Sequence, residues 1–253
     1  MASLGNLRVN TSVIRISVEH TCNICSLQAP ALTTRPHPPR RLPDGILGPI
    51  KNKPVQLANG DILSPSSTEG DAGWRIHFER SSDGGQTWTS TGPIPAAGAI
   101  QAIQPSILTH SDGTLQALGR TREGRIFQTW SRDGGHTWQP LTLTELPNPN
   151  SGTDAVTLSD GRHLLVYNHN PLRSGRKPLN VALSEDGRTW RGALVLEDDF
   201  SKRDGFAYPS VIQTRDGLVH IVYTWDRKRI KHAVINPREL QTRPIVNGAW
   251  PGE

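Results

Sequence analysis

Short apolar runs recur four times along this chain, always as a pair across a turn with glycine at its bend. The pairs span residues 54–63 around Asn59-Gly60, 105–118 around Asp112-Gly113, 155–166 around Asp160-Gly161 and 209–222 around Asp216-Gly217. Such runs across Asn-Gly or Asp-Gly predict β-hairpins, because these residues accept the positive φ of a tight turn between twisted strands. A polar loop and a third run follow each hairpin, at 74–79, 125–130, 179–183 and 230–234. After the first three of these stand Ser81-Ser82-Asp83-Gly84-Gly85-Gln86-Thr87-Trp88, Ser131-Arg132-Asp133-Gly134-Gly135-His136-Thr137-Trp138 and the shorter Ser184-Glu185-Asp186-Gly187-Arg188-Thr189-Trp190. In this octapeptide Asp bonds backbone two residues on, Gly supplies positive φ, and Trp packs the returning strand onto its sheet. Hairpin, third strand, turn and fourth strand make one antiparallel blade. A repeat of about 50 residues predicts an array of blades, a β-propeller architecture, not one compact αβ core. The fourth unit ends at Asn236-Pro237 without the octapeptide, as a terminal or ring-closing blade would.

Equal register in equal blades brings equivalent positions to one face of the array. Counting back eight residues from each hairpin Asn or Asp reaches Lys51, Gln104, Gly152 and Tyr208, which are therefore expected around one axial funnel. Asn52, Asn150, Asn168 and His169 stand beside the same strand ends, where they either bond a ligand's hydroxyls or cap turns.

Composition changes this picture little. The 24 Gly and 20 Pro fall between the predicted strands, and no helix is expected. The formal net charge is +5 with 20% charged residues, and the cations are scattered among acids. No basic stripe suggests nucleic acid; a modest positive field favours an anionic ligand or is simply a basic surface. No long apolar run predicts a membrane helix. The nine His residues lack ligand spacing and no Gly-rich phosphate loop occurs, so neither metal nor cofactor is expected.

Residues 1–40 lie outside the repeat and end in Thr33-Thr34-Arg35-Pro36-His37-Pro38-Pro39-Arg40, which reads as loop or disordered linker. The repeat occupies 41–240, and 241–253 is a tail. The stretch 7–18 is broken by Arg8, Asn10 and Arg15, so no signal peptide is expected and a cytoplasmic location is the default. Cys22-Asn23-Ile24-Cys25 has no second pair to complete a zinc site.

The octapeptide resembles the Asp-box of the sialidase (neuraminidase) superfamily, and 41–240 is similar to its predicted-neuraminidase type with BNR repeats. The resemblance implies an all-β propeller of which about four of six four-stranded blades are present, the first one to two being absent or replaced. It implies Asp-boxes on the outer rim and chemistry at the axis. Ala207-Tyr208-Pro209-Ser210-Val211 resembles the last-blade segment whose Tyr is the nucleophile, with Pro209 in place of the usual Ser. A phenol suits attack beside a carboxylate, which would repel an anionic nucleophile. Arg120 and Arg176 match the carboxylate clamp, where guanidinium forks bind bidentately. The family's base is a Glu, and Gln104 holds its position; an amide cannot take up that proton. Glu69, in the expected loop 64–73, and Asp154 are the possible substitutes. Lys51, Asn52, Asn168 and His169 remain candidates for substrate binding. The implied activity is exo-α-sialidase-type hydrolysis of terminal acidic sugars on glycans. The alternative is a non-catalytic glycan- or protein-binding propeller, or an inactive fragment. Sugar, linkage and oligomeric state are not encoded in any motif.

Overall fold

The computed structural model describes residues 14–19, 41–172 and 175–252. All regular elements among them are strands. A first strand, β1, spans Ile14–Glu19. The first blade then comprises β2 (Val55–Gln56), β3 (Ile62–Gly70), β4 (Gly73–Ser81) and β5 (Thr89–Ser90). The second comprises β6 (Ala102–Thr109), β7 (Leu115–Thr121), β8 (Arg125–Ser131) and β9 (Thr142–Pro147). The third holds β10 (Asp154–Thr157), β11 (His163–Tyr167), β12 (Leu179–Ser184) and β13 (Arg191–Glu197), and the fourth β14 (Phe206–Gln213), β15 (Val219–Trp225) and β16 (Arg229–Ile235). A short β17 (Arg243–Pro244) adds to β13. Every strand pairing is antiparallel, giving the four blades of a propeller.

Two sequence expectations are corrected. The sequence predicts loop or disorder across 1–40, yet Ile14–Glu19 pairs with β16 from Ile14↔Ile235 to Glu19↔Ile230 and supplies the fourth blade's outer strand. The fourth blade has no Asp-box strand of its own, and β1 fills that place; the Cys22-Asn23-Ile24-Cys25 motif lies outside the described residues. The sequence also predicts a loop over 64–73, whereas β3 and β4 run to a tight turn at Asp71-Ala72. The small polar side chains Ser64, Ser66 and Ser67 are buried there, so the strand carries no apolar alternation to announce it.

The core lies between blades. Leu63, Ile76 and Phe78 of the first blade pack on Ile107, Ala117 and Phe127 of the second. Leu108, Leu118 and Ile126 of the second meet Leu165, Tyr167 and Ala182 of the third, with Trp250 from the tail. Leu164, Val181 and Leu183 of the third meet Val211, Val219, Ile221 and Ala233 of the fourth. The Asp-boxes sit between third and outer strands. In the second blade Asp133 accepts the amides of His136 at 3.0 Å and Thr137 at 2.9 Å, and Trp138 Nε1 donates to Gly135 O at 3.2 Å. Trp138 then stacks on Phe78 of the first blade, with ring centroids 3.9 Å apart. The turn motif therefore fixes both a turn and the packing of neighbouring blades.

Candidate functional site

Inner-strand ends converge on the axis. Three of the four register positions share one unusual conformation: Lys51 has φ 68°, Gln104 57° and Tyr208 51°. In the third blade Asn150 holds it, at 56°, so the register there slips by two and Gly152 is not the equivalent residue. A left-handed non-glycine costs energy and persists where surroundings over-determine it, commonly at functional sites. Gln104-Pro105 and Tyr208-Pro209 each bulge out of their ladder, between Ile103 and Ser106 and between Ala207 and Ser210.

The bulge at Tyr208 leaves its ring beside two guanidinium groups. Arg120, opposite Ile103 on β7, is buried, and its guanidinium carbon lies 6.0 Å from the Tyr208 ring centroid. Arg176 approaches the same ring at 4.9 Å. Its carbonyl accepts the Phe206 amide at 2.8 Å, which ties it to the start of the strand bearing Tyr208. Burial pushes the phenol up, but hydrogen bonding from Arg120 and the charges of Arg120 and Arg176 override it, leaving Tyr208 below the ordinary tyrosine range. Nε and Nη1 of Arg120 and Oε1 of Gln104 are buried without a protein partner. Buried donors and acceptors are ordinarily satisfied, so such a set is what a ligand would complete.

The other sequence candidates divide. Asp154 is no free acid or base: Oδ1 accepts Ser106 Oγ at 2.9 Å, while Oδ2 accepts Lys53 Nζ at 2.9 Å and the Val211 amide at 2.8 Å. It is an internal strut joining all four blades. Asn52 is equally consumed, between Lys51 Nζ at 3.1 Å, Ser106 Oγ and Thr153 O. Asn168 accepts Ser151 Oγ at 2.5 Å and donates to Pro178 O and Phe206 O. His169 lies between the Tyr167 hydroxyl at 2.6 Å and Gly248 O at 2.9 Å, and burial lowers it to about 4. These three side chains brace the blades and offer nothing to a sugar. Glu69 is exposed at the end of β3, opposite Trp74 and therefore on the same face of the sheet. Lys51 is bonded to Thr153 O and Pro209 O.

Sequence reading missed Trp74 and Arg122. The Arg120 and Arg122 guanidinium carbons sit 5.1 Å and 4.4 Å from the Trp74 ring centroid, so Arg120 lies between the Trp74 and Tyr208 rings. Arg122 follows Arg120 by two, the period that keeps two strand residues on one face, and that signal was available. A cleft of about 450 Å³ adjoins Trp74, lined by Asp71, Arg75, Ile100 and Gln101 among others. Among the described residues no cluster of His, Cys, Asp and Glu could hold a metal, and no helix is long and apolar enough to cross a membrane.

Four antiparallel blades, three of them with Asp-box turns between their third and outer strands, define a BNR-repeat β-propeller. The chain belongs to the family of BNR repeat-like domains, which it matches over residues 19–221. Similar solved structures include the NanB sialidase from Streptococcus pneumoniae, 19% identical with a TM-score of 0.59, covering 74% of this chain and 31% of that one. The intramolecular trans-sialidase from Ruminococcus gnavus, in complex with oseltamivir carboxylate, is 24% identical with a TM-score of 0.57, covering 76% and 44%. A protein of unknown function from Dyadobacter fermentans is 23% identical with a TM-score of 0.60, covering 75% and 52%. The chain thus corresponds to between about a third and a half of these proteins' lengths. No curated protein sequence matches it.

Proposed function

We propose that the funnel binds the carboxylate of a terminal acidic sugar on a glycan and that the protein is a sialidase-like glycoside hydrolase with Tyr208 as nucleophile. One observation carries this reading: the Tyr208 phenol is held between Arg120 and Arg176, beside unpartnered buried donors. Arg120 and Arg176 hold the carboxylate, and Gln104 offers its amide to a sugar hydroxyl. The same guanidinium charges favour the phenolate, which takes over part of the task of the absent Glu. The phenol releases its proton to water at the open mouth of the funnel, and its oxygen bonds the anomeric carbon as the glycosidic C–O bond breaks. The leaving alcohol takes a proton from Glu69, beside Trp74. Water then gives a proton back to Glu69 and attacks the anomeric carbon, the Tyr208–sugar bond breaks with the phenolate as leaving group, and configuration is retained.

A second reading, binding without turnover, draws on one feature. Gln104 replaces the base and Asp154 is spent on protein donors, so neither is free to take the Tyr208 proton. A fluorogenic sialoside assay and titration with oseltamivir carboxylate, the ligand of the Ruminococcus gnavus structure, separate the two. Hydrolysis abolished by Tyr208→Phe supports the enzyme. Binding that needs Arg120, with no hydrolysis, supports the binding module. Binding unchanged in Arg120→Ala removes both.

A further inference from the structure

Tyr208 is held where its own strand cannot hold it. With φ at 51° it sits in the left-handed region, and the bulge lifts it and Pro209 out of the β14–β15 ladder. Pro209 has no N–H to contribute. Its carbonyl instead accepts Lys51 Nζ at 2.9 Å, and the same ammonium donates to Thr153 O at 2.6 Å and to Asn52 Oδ1 at 3.1 Å. Three donors meet three acceptors, so the ammonium is saturated and has no lone pair with which to act as a base. Its stem shares one slot with the tyrosine ring. A Cβ added at Gly152 would lie 3.0 Å from Lys51 Cε and 3.0 Å from Tyr208 Cδ1.

We propose that Lys51 is a positioning residue for Tyr208: carried across the axis from the first blade, its ammonium ties the carbonyl that follows Tyr208 to the third blade and so holds the phenol against Arg120 and Arg176. Stability does not explain a lysine here. Burial, with the charges of Lys53 and Arg120, lowers it to about 8 despite the nearby Asp154 carboxylate, which means the charged form is kept at neutral pH against a desolvation cost. An apolar side chain of similar length would avoid that cost. What the lysine adds is three directed bonds to three fixed acceptors on one side of a strained tyrosine.

The proposal rests on Tyr208 standing at the reactive centre, yet it is tested without turnover. Of the chain's three tyrosines, Tyr167 and Tyr223 are fully buried, and burial with Glu197 pushes Tyr223 far up. The first tyrosinate phase in a near-ultraviolet pH titration therefore belongs to Tyr208, and its disappearance in Tyr208→Phe assigns it. In Lys51→Met this phase is expected to move up by on the order of one pH unit, toward the ordinary tyrosine value, while thermal unfolding stays cooperative. Wild type keeps the tie throughout the titration, because above about pH 8 the neutral Lys51 amine still has N–H groups to donate to Pro209 O. Lys53→Met is the charge control: Lys53 bonds Asp154 and Ala155 O, not Pro209, and the phase is expected to stay in place. A phase unmoved in folded Lys51→Met, or moved equally by Lys53→Met, overturns the proposal. If Lys51→Met does not fold, Gly152→Ala replaces it, since its methyl group forces lysine and ring apart; an unchanged phase there overturns the proposal as well. Sialoside hydrolysis by wild type and Tyr208→Phe tests the functional reading separately, so either can fail alone.

Discussion

At the residue scale, two kinds of special position have opposite consequences. Asp133 sits on the outer rim, where its carboxylate gathers the Ser131 hydroxyl and two backbone amides. Asp133→Ala is expected to lower Tm by about 2–4 °C through loss of these local bonds, with oseltamivir carboxylate affinity unchanged. Weaker binding at equal Tm would contradict the rim assignment. Bonding within the box holds the Asp83 carboxyl well below its usual range; at Asp133 burial opposes, and the bonds from Thr137, Ser131 and His136 prevail. A depressed carboxylate stabilises the fold above its unfolded pKa, about 3.9, and that contribution is lost as pH falls below it. Melts of Asp133→Ala and wild type should therefore converge in acid. Gly205 is the opposite case. It has φ +66°, and a Cβ there would lie 2.5 Å from the Arg176 carbonyl oxygen. Gly205→Ala must displace the segment that anchors Arg176, and ligand affinity should fall severalfold, as measured by calorimetry. Unchanged affinity would detach Arg176 from the site.

At the element scale, the strands that carried a local signal were the legible ones. Each hairpin announced itself by two apolar runs across Asn-Gly or Asp-Gly, and the octapeptide marked three outer turns. The strand 62–70 was illegible because Ser64, Ser66 and Ser67 are buried as small polar groups, which alternation does not detect. β1 alternates in sequence, Ile-Arg-Ile-Ser-Val-Glu, but its partner β16 lies at the other end of the chain, a pairing no local pattern encodes. In the site, Gln104 and Tyr208 were reachable by register, and Arg120 only through the family resemblance. The consumption of Asp154, Asn52, Asn168 and His169 was not, since it depends on which donors other blades deliver. The β1 pairing makes its own prediction. Removing residues 1–19 strips the outer ladder from β16, so backbone amides of 230–235 should exchange with solvent at least about tenfold faster, while those of β7 keep their protection. Equal exchange in both forms would mean that β16 does not depend on β1.

At the scale of the whole molecule, four blades are joined by three apolar interfaces, first to second, second to third and third to fourth. A closed ring of four would have a fourth such core, between the fourth blade and the first, and no cluster of buried apolar residues joins them among those described. The two faces of the fourth blade differ accordingly. On β15, Val219, Ile221 and Tyr223 are buried against the third blade, while Val222 between them is 40% exposed; Ile212 on β14 and Ile230 on β16 are exposed with it. Strand alternation alone cannot say which face is covered, because both carry apolar side chains. The structure does, and the difference is measurable. Ile221→Lys places an unpaired charge inside the interface and should cost roughly 3 kcal/mol or more, enough to shift the urea midpoint strongly or prevent folding. Val222→Lys, one residue along the same strand, points the charge at solvent and should change stability by no more than about 0.5 kcal/mol. Equal losses at the two positions would mean that the open face of the fourth blade is covered in solution and that the arc closes on itself.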